Sequence, residues 1–161
     1  MKRVTTIIIF ILVFILSLSV IAGAQDFEID AESAILIDAA TGQILFEQNA
    51  DERLPPASLT KIMTLIVAME EIESGGLSLD DQVTISRLAE SMGGSQIFLA
   101  KGNKVTVRNL LKAVTIASAN DACVALGEAV AGSYNKFVNM MNEEADELGL
   151  KKTYFSNSTG L

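Results

Sequence analysis

The segment 58–72 is apolar around most of its helical circumference, and this pattern constrains the fold more than any other part of the sequence. A helix that is apolar on nearly all sides belongs in the interior of a domain, so the other elements must surround it. Pro55-Pro56 precedes the segment, and Gly75-Gly76 follows it as a stop signal. The apolar residues of the segment are Ile62, Met63, Leu65, Ile66, Val67, Met69 and Ile72.

Ser58 and Lys61 occupy the first turn of this predicted helix. Side chains at positions i and i+3 share one helix face, so the two can meet. A serine alcohol needs a base to become nucleophilic, and the sequence contains no histidine. A lysine whose pKa is lowered by desolvation is an alternative base. From the residues alone two interpretations stay open: a nucleophile and its base, or a helix cap and a lysine extended to solvent.

The Ser-x-x-Lys spacing is not specific by itself, because Ser133-Tyr134-Asn135-Lys136 also matches it. Ser133 stands at the start of an amphipathic segment, where capping of a surface helix explains it. Ser118-Ala119-Asn120 lies between two predicted helices. Its hydroxyl and amide either project into a cleft, where acyl transfer needs a proton donor and a carbonyl-orienting group, or cap the next helix.

The remaining pattern predicts two strands followed mostly by helices. Alternating and buried runs predict a hairpin of two strands at 34–38 and 44–48. A short extended piece is expected at 83–85 and a loop at 92–95. Helices are predicted from a Thr106 cap to Ile116, from an Asn120 or Asp121 cap to Val130, and from Ser133 to a stop at Gly149.

The first 24 residues have the organisation of a signal peptide: a basic start, an apolar run and the small residues Ala22-Gly23-Ala24. We expect cleavage before Gln25 and export to the cell envelope, either to the outer face of the cytoplasmic membrane or as a secreted protein. An uncleaved N-terminal anchor is the alternative, and it also implies export.

Composition limits the possible partners. The net charge of −8 argues against a nucleic-acid partner, because phosphate binding needs clustered lysine and arginine. The single cysteine, Cys123, lies in an apolar helical run and is expected to pack in the core. Without histidine or paired cysteines, no metal site is predicted, and no cofactor is expected.

Four short segments form a pattern when taken together and in order. They are residues 55–64, 94–99, 116–122 and 157–161. The ensemble resembles the N-terminal part of serine-type D-alanyl-D-alanine carboxypeptidases, the low-molecular-mass penicillin-binding proteins, and the likeness extends from about Ala34 to Leu161. The resemblance implies an α+β fold, a β-lactamase/transpeptidase-like domain in which a helical cluster packs on an antiparallel sheet.

The resemblance also implies roles for four residues. Ser58 attacks the penultimate D-alanine carbonyl of a peptidoglycan stem peptide ending in D-Ala-D-Ala, and penicillins and other β-lactams acylate the same serine. Lys61 takes the serine proton. Ser118 relays a proton to the leaving amine. Asn120 binds the substrate backbone and helps to hold Lys61.

The sequence departs from the family pattern at the third motif, Lys-Thr-Gly. Lys151-Lys152-Thr153 lacks the glycine, and Ser158-Thr159-Gly160 lacks the lysine. We therefore expect residues 25–161 to be only part of the domain, with two of its sheet strands, and to be inactive alone. A C-terminal membrane anchor of the kind found in the family is not seen. A serine β-lactamase and a non-catalytic envelope remnant are the alternatives.

Overall fold

The computed structural model describes residues 29–161. The described part of the chain falls into two units, which divide between Glu52 and Arg53. The predicted signal peptide lies outside the described residues and stays a prediction.

The described part of the first unit is the predicted hairpin. Strand β1 (Ala34–Ile37) pairs antiparallel with β2 (Ile44–Gln48). The carboxylate of Asp38 closes the turn by accepting hydrogen bonds from the Thr41 amide at 2.8 Å and the Thr41 hydroxyl at 2.6 Å. Apolar side chains on both strands are about half exposed. They are Ile35, Leu36, Ile37, Ile44 and Leu45. A two-stranded hairpin of this kind needs further strands or a packed helix for stability.

The second unit is mostly helical. Its elements in chain order are a 3₁₀ turn (Ala57–Leu59), α1 (Thr60–Glu73), β3 (Gln82–Thr84), α2 (Arg87–Glu90), β4 (Lys104–Thr106), α3 (Val107–Ala117), α4 (Asn120–Ala131) and α5 (Tyr134–Glu147). The predicted helices are therefore present. The main difference is that the first residues of the predicted 58–72 helix form the 3₁₀ turn.

The second unit also contains a small two-stranded sheet, separate from the β1–β2 pair, of which the sequence predicted only one strand. Strand β3, predicted as a lone extended piece, pairs antiparallel with β4, which the sequence pattern did not indicate. The prediction failed because β4 is short and runs directly into α3: Thr106 ends the strand and also caps the helix by accepting from the Asn109 amide at 3.3 Å.

Helix α4 is the central element of the second unit, and its first eight residues are all buried. Small side chains allow neighbouring helices to approach it closely. At Gly127 a Cβ would lie 2.6 Å from the Phe137 ring of α5, so only glycine fits there. One apolar cluster joins α4 to α3 and the β3–β4 pair, and a second joins α1 to α5. The interior position of α1 is confirmed for one face, with Met63, Thr64, Val67 and Ala68 buried. It is wrong for the opposite residues Ile62 and Met69, which are 56% and 42% exposed.

Candidate active site

The Ser58 hydroxyl lies at the amino-terminal end of α1, in the 3₁₀ turn that precedes it. The residue before it, Ala57, has a φ of 47°, which L-residues rarely adopt. Ser58 is exposed and caps no helix, because neither the turn nor α1 has a side-chain cap. The capping interpretation of Ser58 is therefore wrong. Its oxygen is accessible and lies near the positive end of the helix dipole.

Lys61 is buried one turn further along, with 4% of its surface exposed. Its Nζ lies 3.1 Å from Ser58 Oγ and donates to the Thr159 carbonyl at 3.0 Å. The interpretation of Lys61 as a solvent-extended side chain is wrong. Removal from water lowers the pKa of Lys61, and the nearby Cys123 thiol opposes this only in part. The lowered pKa makes the neutral amine, the form that can accept a proton, easier to reach than in a fully solvated lysine.

Ser118 contacts the same Ser58 oxygen as Lys61 does. Its Oγ donates to Ser58 Oγ at 3.2 Å. The approach depends on the backbone, because Ser118 ends α3 in the left-handed conformation, with φ 51° and ψ 35°. Such a conformation is uncommon for serine and often marks a functional site. Lys61, Ser58 and Ser118 consequently form one chain of polar atoms along which protons can pass.

The side chain of Asn120 turns away from the helix that it begins. Ala119 is the N-cap residue of α4, and α4 has no side-chain cap, so the predicted Asn120 or Asp121 cap is wrong. Asn120 instead donates through Nδ2 to the Gly93 carbonyl at 2.7 Å and through its backbone amide to the Ser95 carbonyl at 2.7 Å. Its Oδ1 is buried and has no hydrogen-bond partner. That oxygen is available for a donor from a ligand or a neighbouring side chain.

The segment 157–161 supplies backbone carbonyls that accept hydrogen bonds from Lys61 and from two other buried side chains, which the residue patterns did not indicate. Besides the Thr159 carbonyl bound by Lys61, the Ser158 carbonyl accepts from Thr64 Oγ1 at 2.8 Å and Cys123 Sγ at 2.9 Å. Asn157 Oδ1 shapes the turn by accepting from the Thr159 and Gly160 amides. An Asn three residues before a glycine is a turn signal, but it does not indicate which side chain the turn contacts.

Gly160 brings this segment against the serine turn. It has a φ of 78°, and a Cβ at this position would collide with the Ala57 carbonyl. Only glycine satisfies both constraints. The close approach of Gly160 to Ala57 therefore helps to fix the turn that carries Ser58.

Ser133 and Cys123 are the two other candidate nucleophiles, and each has a structural explanation. Ser133 is the N-cap residue of α5, although its side chain makes no cap hydrogen bond. Cys123 is fully buried in the core, as expected, and burial raises the pKa of its thiol. A thiol with a raised pKa is a poor nucleophile near neutral pH.

Within residues 29–161, no three His, Cys, Asp or Glu side chains gather as a metal-ligand set. The helices in the same range are all too short or too polar to span a bilayer.

Residues 20–161 match the family model described as D-alanyl-D-alanine carboxypeptidase, Peptidase_S11. The chain is 52% identical over 132 residues to the D-alanyl-D-alanine carboxypeptidase DacF of Bacillus subtilis, covering 82% of this chain and 34% of that protein. It is 45% identical over 139 residues to DacC of Escherichia coli, a protein of the same description, covering 83% and 35% respectively. The chain thus spans about a third of the length of these relatives.

Solved structures of penicillin-binding proteins are also similar to this chain. Penicillin-binding protein 5 of Haemophilus influenzae superposes with a TM-score of 0.81 at 37% identity, covering 86% of this chain and 41% of that chain. Penicillin-binding protein D2 of Listeria monocytogenes, solved in its ampicillin-bound form, superposes with a TM-score of 0.75 at 32% identity, covering 85% and 55% respectively. The α+β, transpeptidase-like fold class is confirmed for the part of the domain that the chain contains.

Proposed function

Because this chain belongs to the D-alanyl-D-alanine carboxypeptidase family, we propose that it supplies the nucleophile, the base and the proton relay of a serine carboxypeptidase acting on peptidoglycan stem peptides. The observation that carries the proposal is the pair of distances at Ser58 Oγ: 3.1 Å to Lys61 Nζ and 3.2 Å to Ser118 Oγ. A nucleophile within hydrogen-bond distance of both a base and a second hydroxyl has the partners that serine acyl transfer uses.

In the proposed reaction Ser58 Oγ attacks the carbonyl carbon of the penultimate D-alanine. The neutral Lys61 amine accepts the serine proton, and its lowered pKa supports this role. As the peptide bond breaks, the proton held by Lys61 moves through the Ser118 hydroxyl to the departing amine of the terminal D-alanine, so that Lys61 and Ser118 both return to their starting states. Water then hydrolyses the ester on Ser58 and regenerates the hydroxyl.

Asn120 is proposed to orient the substrate. Its Nδ2 is committed to the Gly93 carbonyl, so its unpaired Oδ1 remains to accept from a substrate N–H or from Lys61. A β-lactam presents an amide and a reactive carbonyl in a similar arrangement, and we propose that it acylates Ser58 by the same steps. The predicted signal peptide supports export to the envelope, where such substrates occur.

This chain contains no Lys-Thr-Gly motif, so the test uses an extended chain. We define the extended chain as this sequence continued by the segment that follows the matched region in the Bacillus subtilis relative. The family's third motif is thereby supplied, together with the sheet strand that carries it. Losing a single oxyanion-hole donor typically costs about 10²–10³ in rate, which is why the addition matters.

The experiment is covalent labelling of the extended chain by a fluorescent penicillin, with release of D-alanine from a peptide ending in D-Ala-D-Ala measured in parallel. Labelling and release should both be lost in Ser58→Ala. They should persist in Ser133→Ala, the matched control at the other Ser-x-x-Lys sequence. Absence of labelling in the unaltered extended chain contradicts the proposal. Labelling that decays within seconds, without D-alanine release, indicates a β-lactamase instead.

A further inference from the structure

Asp121 carries a fully buried carboxylate that has no part in the proposed reaction. Its oxygens accept hydrogen bonds from three backbone amides. The Ile97 amide lies 3.2 Å from both oxygens, the Leu99 amide lies 2.9 Å from Oδ2, and the Ala122 amide lies 2.9 Å from Oδ1. Two of these donors belong to the segment 93–99, more than twenty positions earlier in the chain. Asp121 therefore connects the start of α4 to that segment.

Phe98 lies between the two distant donors and has a strained backbone. Its φ is 59°, and 81% of its surface is exposed. Phenylalanine rarely adopts left-handed backbone, and an exposed ring provides little packing to offset the cost. In this conformation the amides on either side of Phe98 turn toward one anion, as in a backbone nest. The Asp121 carboxylate is the anion that stabilises the nest.

The same segment also orients Asn120. The Gly93 carbonyl binds Asn120 Nδ2, and the Ser95 carbonyl binds the Asn120 amide. Asn120 and Asp121 are adjacent, so two neighbouring residues hold one segment at its beginning and at its end. The position of the Gly93 carbonyl decides which end of the Asn120 amide faces it, and hence which way Oδ1 points.

We propose that Asp121 is a positioning residue, which holds the segment 93–99 in its nest conformation and thereby fixes the orientation of the Asn120 amide for substrate binding. This inference depends on the proposed function, because it assigns Asp121 to the same site. The effect passes through the backbone of the segment, and Asp121 itself contacts no substrate.

The first test measures the second-order rate constant for acylation of the extended chain by a fluorescent penicillin. Asp121→Asn keeps the size of the side chain but turns an N–H group toward backbone donors. The rate constant should fall by about 10- to 100-fold, the range expected when a reacting group is misplaced by about 1 Å. Asp80→Asn, an exposed aspartate paired with Arg108, is the matched control and should leave the rate unchanged.

The second test separates positioning from a general loss of stability. Glycine adopts a positive φ freely. In Phe98→Gly the backbone therefore needs less stabilisation from the Asp121 carboxylate to keep the nest conformation. In the Phe98→Gly background, Asp121→Asn should lower the acylation rate by less than about threefold, because the two changes are coupled through one element. Equal effects of Asp121→Asn in both backgrounds would overturn the positioning role.

A third measurement needs no substitution. Hydrogen exchange of the Ile97 and Leu99 amides in the unaltered extended chain should be slow, since both are bound to a buried carboxylate. Exchange of both at the rate of a free peptide overturns the inference even if Asp121→Asn fails to fold. Failure of the unaltered extended chain to be labelled contradicts the proposed function. If the unaltered extended chain is labelled and Asp121→Asn is acylated at the same rate, only the positioning role is contradicted.

Discussion

Ser118 Oγ lies 3.2 Å from Ser58 Oγ although 60 residues separate the two in the sequence. Both hydroxyls depend on backbone that L-residues seldom adopt, with φ of 47° at Ala57 and 51° at Ser118. Strain at two such positions persists only where the surrounding structure enforces it. Here the close contact at Gly160 and the buried start of α4 provide that support. The site is therefore pre-organised by the fold.

The first prediction concerns the backbone of Ser118. Ser118→Ala and Ser118→Gly both remove the hydroxyl, and both should lower D-alanine release by the extended chain by about 10²–10⁴-fold, the usual contribution of a positioned proton donor. Only glycine relieves the left-handed strain, so Ser118→Gly should be more stable than Ser118→Ala by about 1 kcal/mol. Urea denaturation measures the difference. If the two variants are equally stable, the backbone at 118 is not strained.

The second prediction concerns the pH dependence of stability at Lys61. Its pKa is lowered in the folded state, so between that value and the ordinary lysine value the unfolded chain binds more protons than the folded chain. The free energy of unfolding should therefore rise with pH across this window, and Lys61→Met should lack that rise. Denaturation of both proteins between pH 7 and pH 10 measures it. Parallel curves would show that Lys61 is not desolvated.

The third prediction separates backbone strain from steric collision at two glycines. Gly160 and Gly149 have φ of 78° and 71°, but a Cβ would collide with the Ala57 carbonyl only at Gly160. Gly149→Ala should cost about 1 kcal/mol through strain alone and leave acylation unchanged. Gly160→Ala should cost more and also slow acylation of Ser58, because the serine turn must move. Comparable effects of the two variants on acylation would contradict the proposed support of that turn.

The fourth prediction concerns Glu144 on α5. Partial burial raises its pKa, and the carboxylates of Glu70 and Glu147 raise it further. The folded state therefore holds this proton more tightly than the unfolded state, and stability should fall as the pH rises above the usual glutamate range. Glu144→Gln should reduce that fall, whereas Glu143→Gln, at an exposed position of the same helix, should not. Thermal unfolding between pH 4 and pH 8 distinguishes the two variants.

The sequence predicted the helices well because their signals are local. The apolar periodicity of α1 and α5, the Thr106 cap and the Gly149 stop all act within a few residues. The strand β4 was missed because its three residues pair with a distant partner and have no pattern of their own. Local capping rules likewise misassigned Asn120, whose side chain binds a carbonyl 27 positions away.

The site was predictable in part. The helical spacing of Ser58 and Lys61 indicated that they could meet, and the resemblance added Ser118 and Asn120. The contributions of Thr159 and Asp121 were not predicted, because a backbone carbonyl that binds a lysine and a carboxylate that binds distant amides depend on tertiary structure. Residue patterns identify reactive groups more readily than the backbone atoms that hold them.

The role of Lys61 as the base is tested most directly by the acylation rate of the extended chain after Lys61 is replaced by alanine. If the Lys61 amine activates Ser58, the second-order rate constant for penicillin acylation should fall by about 10²–10⁴-fold, the usual contribution of a general base. The unaltered extended chain and Ser133→Ala serve as positive controls. A Lys61→Ala protein that is still acylated within tenfold of the unaltered rate would contradict activation of Ser58 by Lys61.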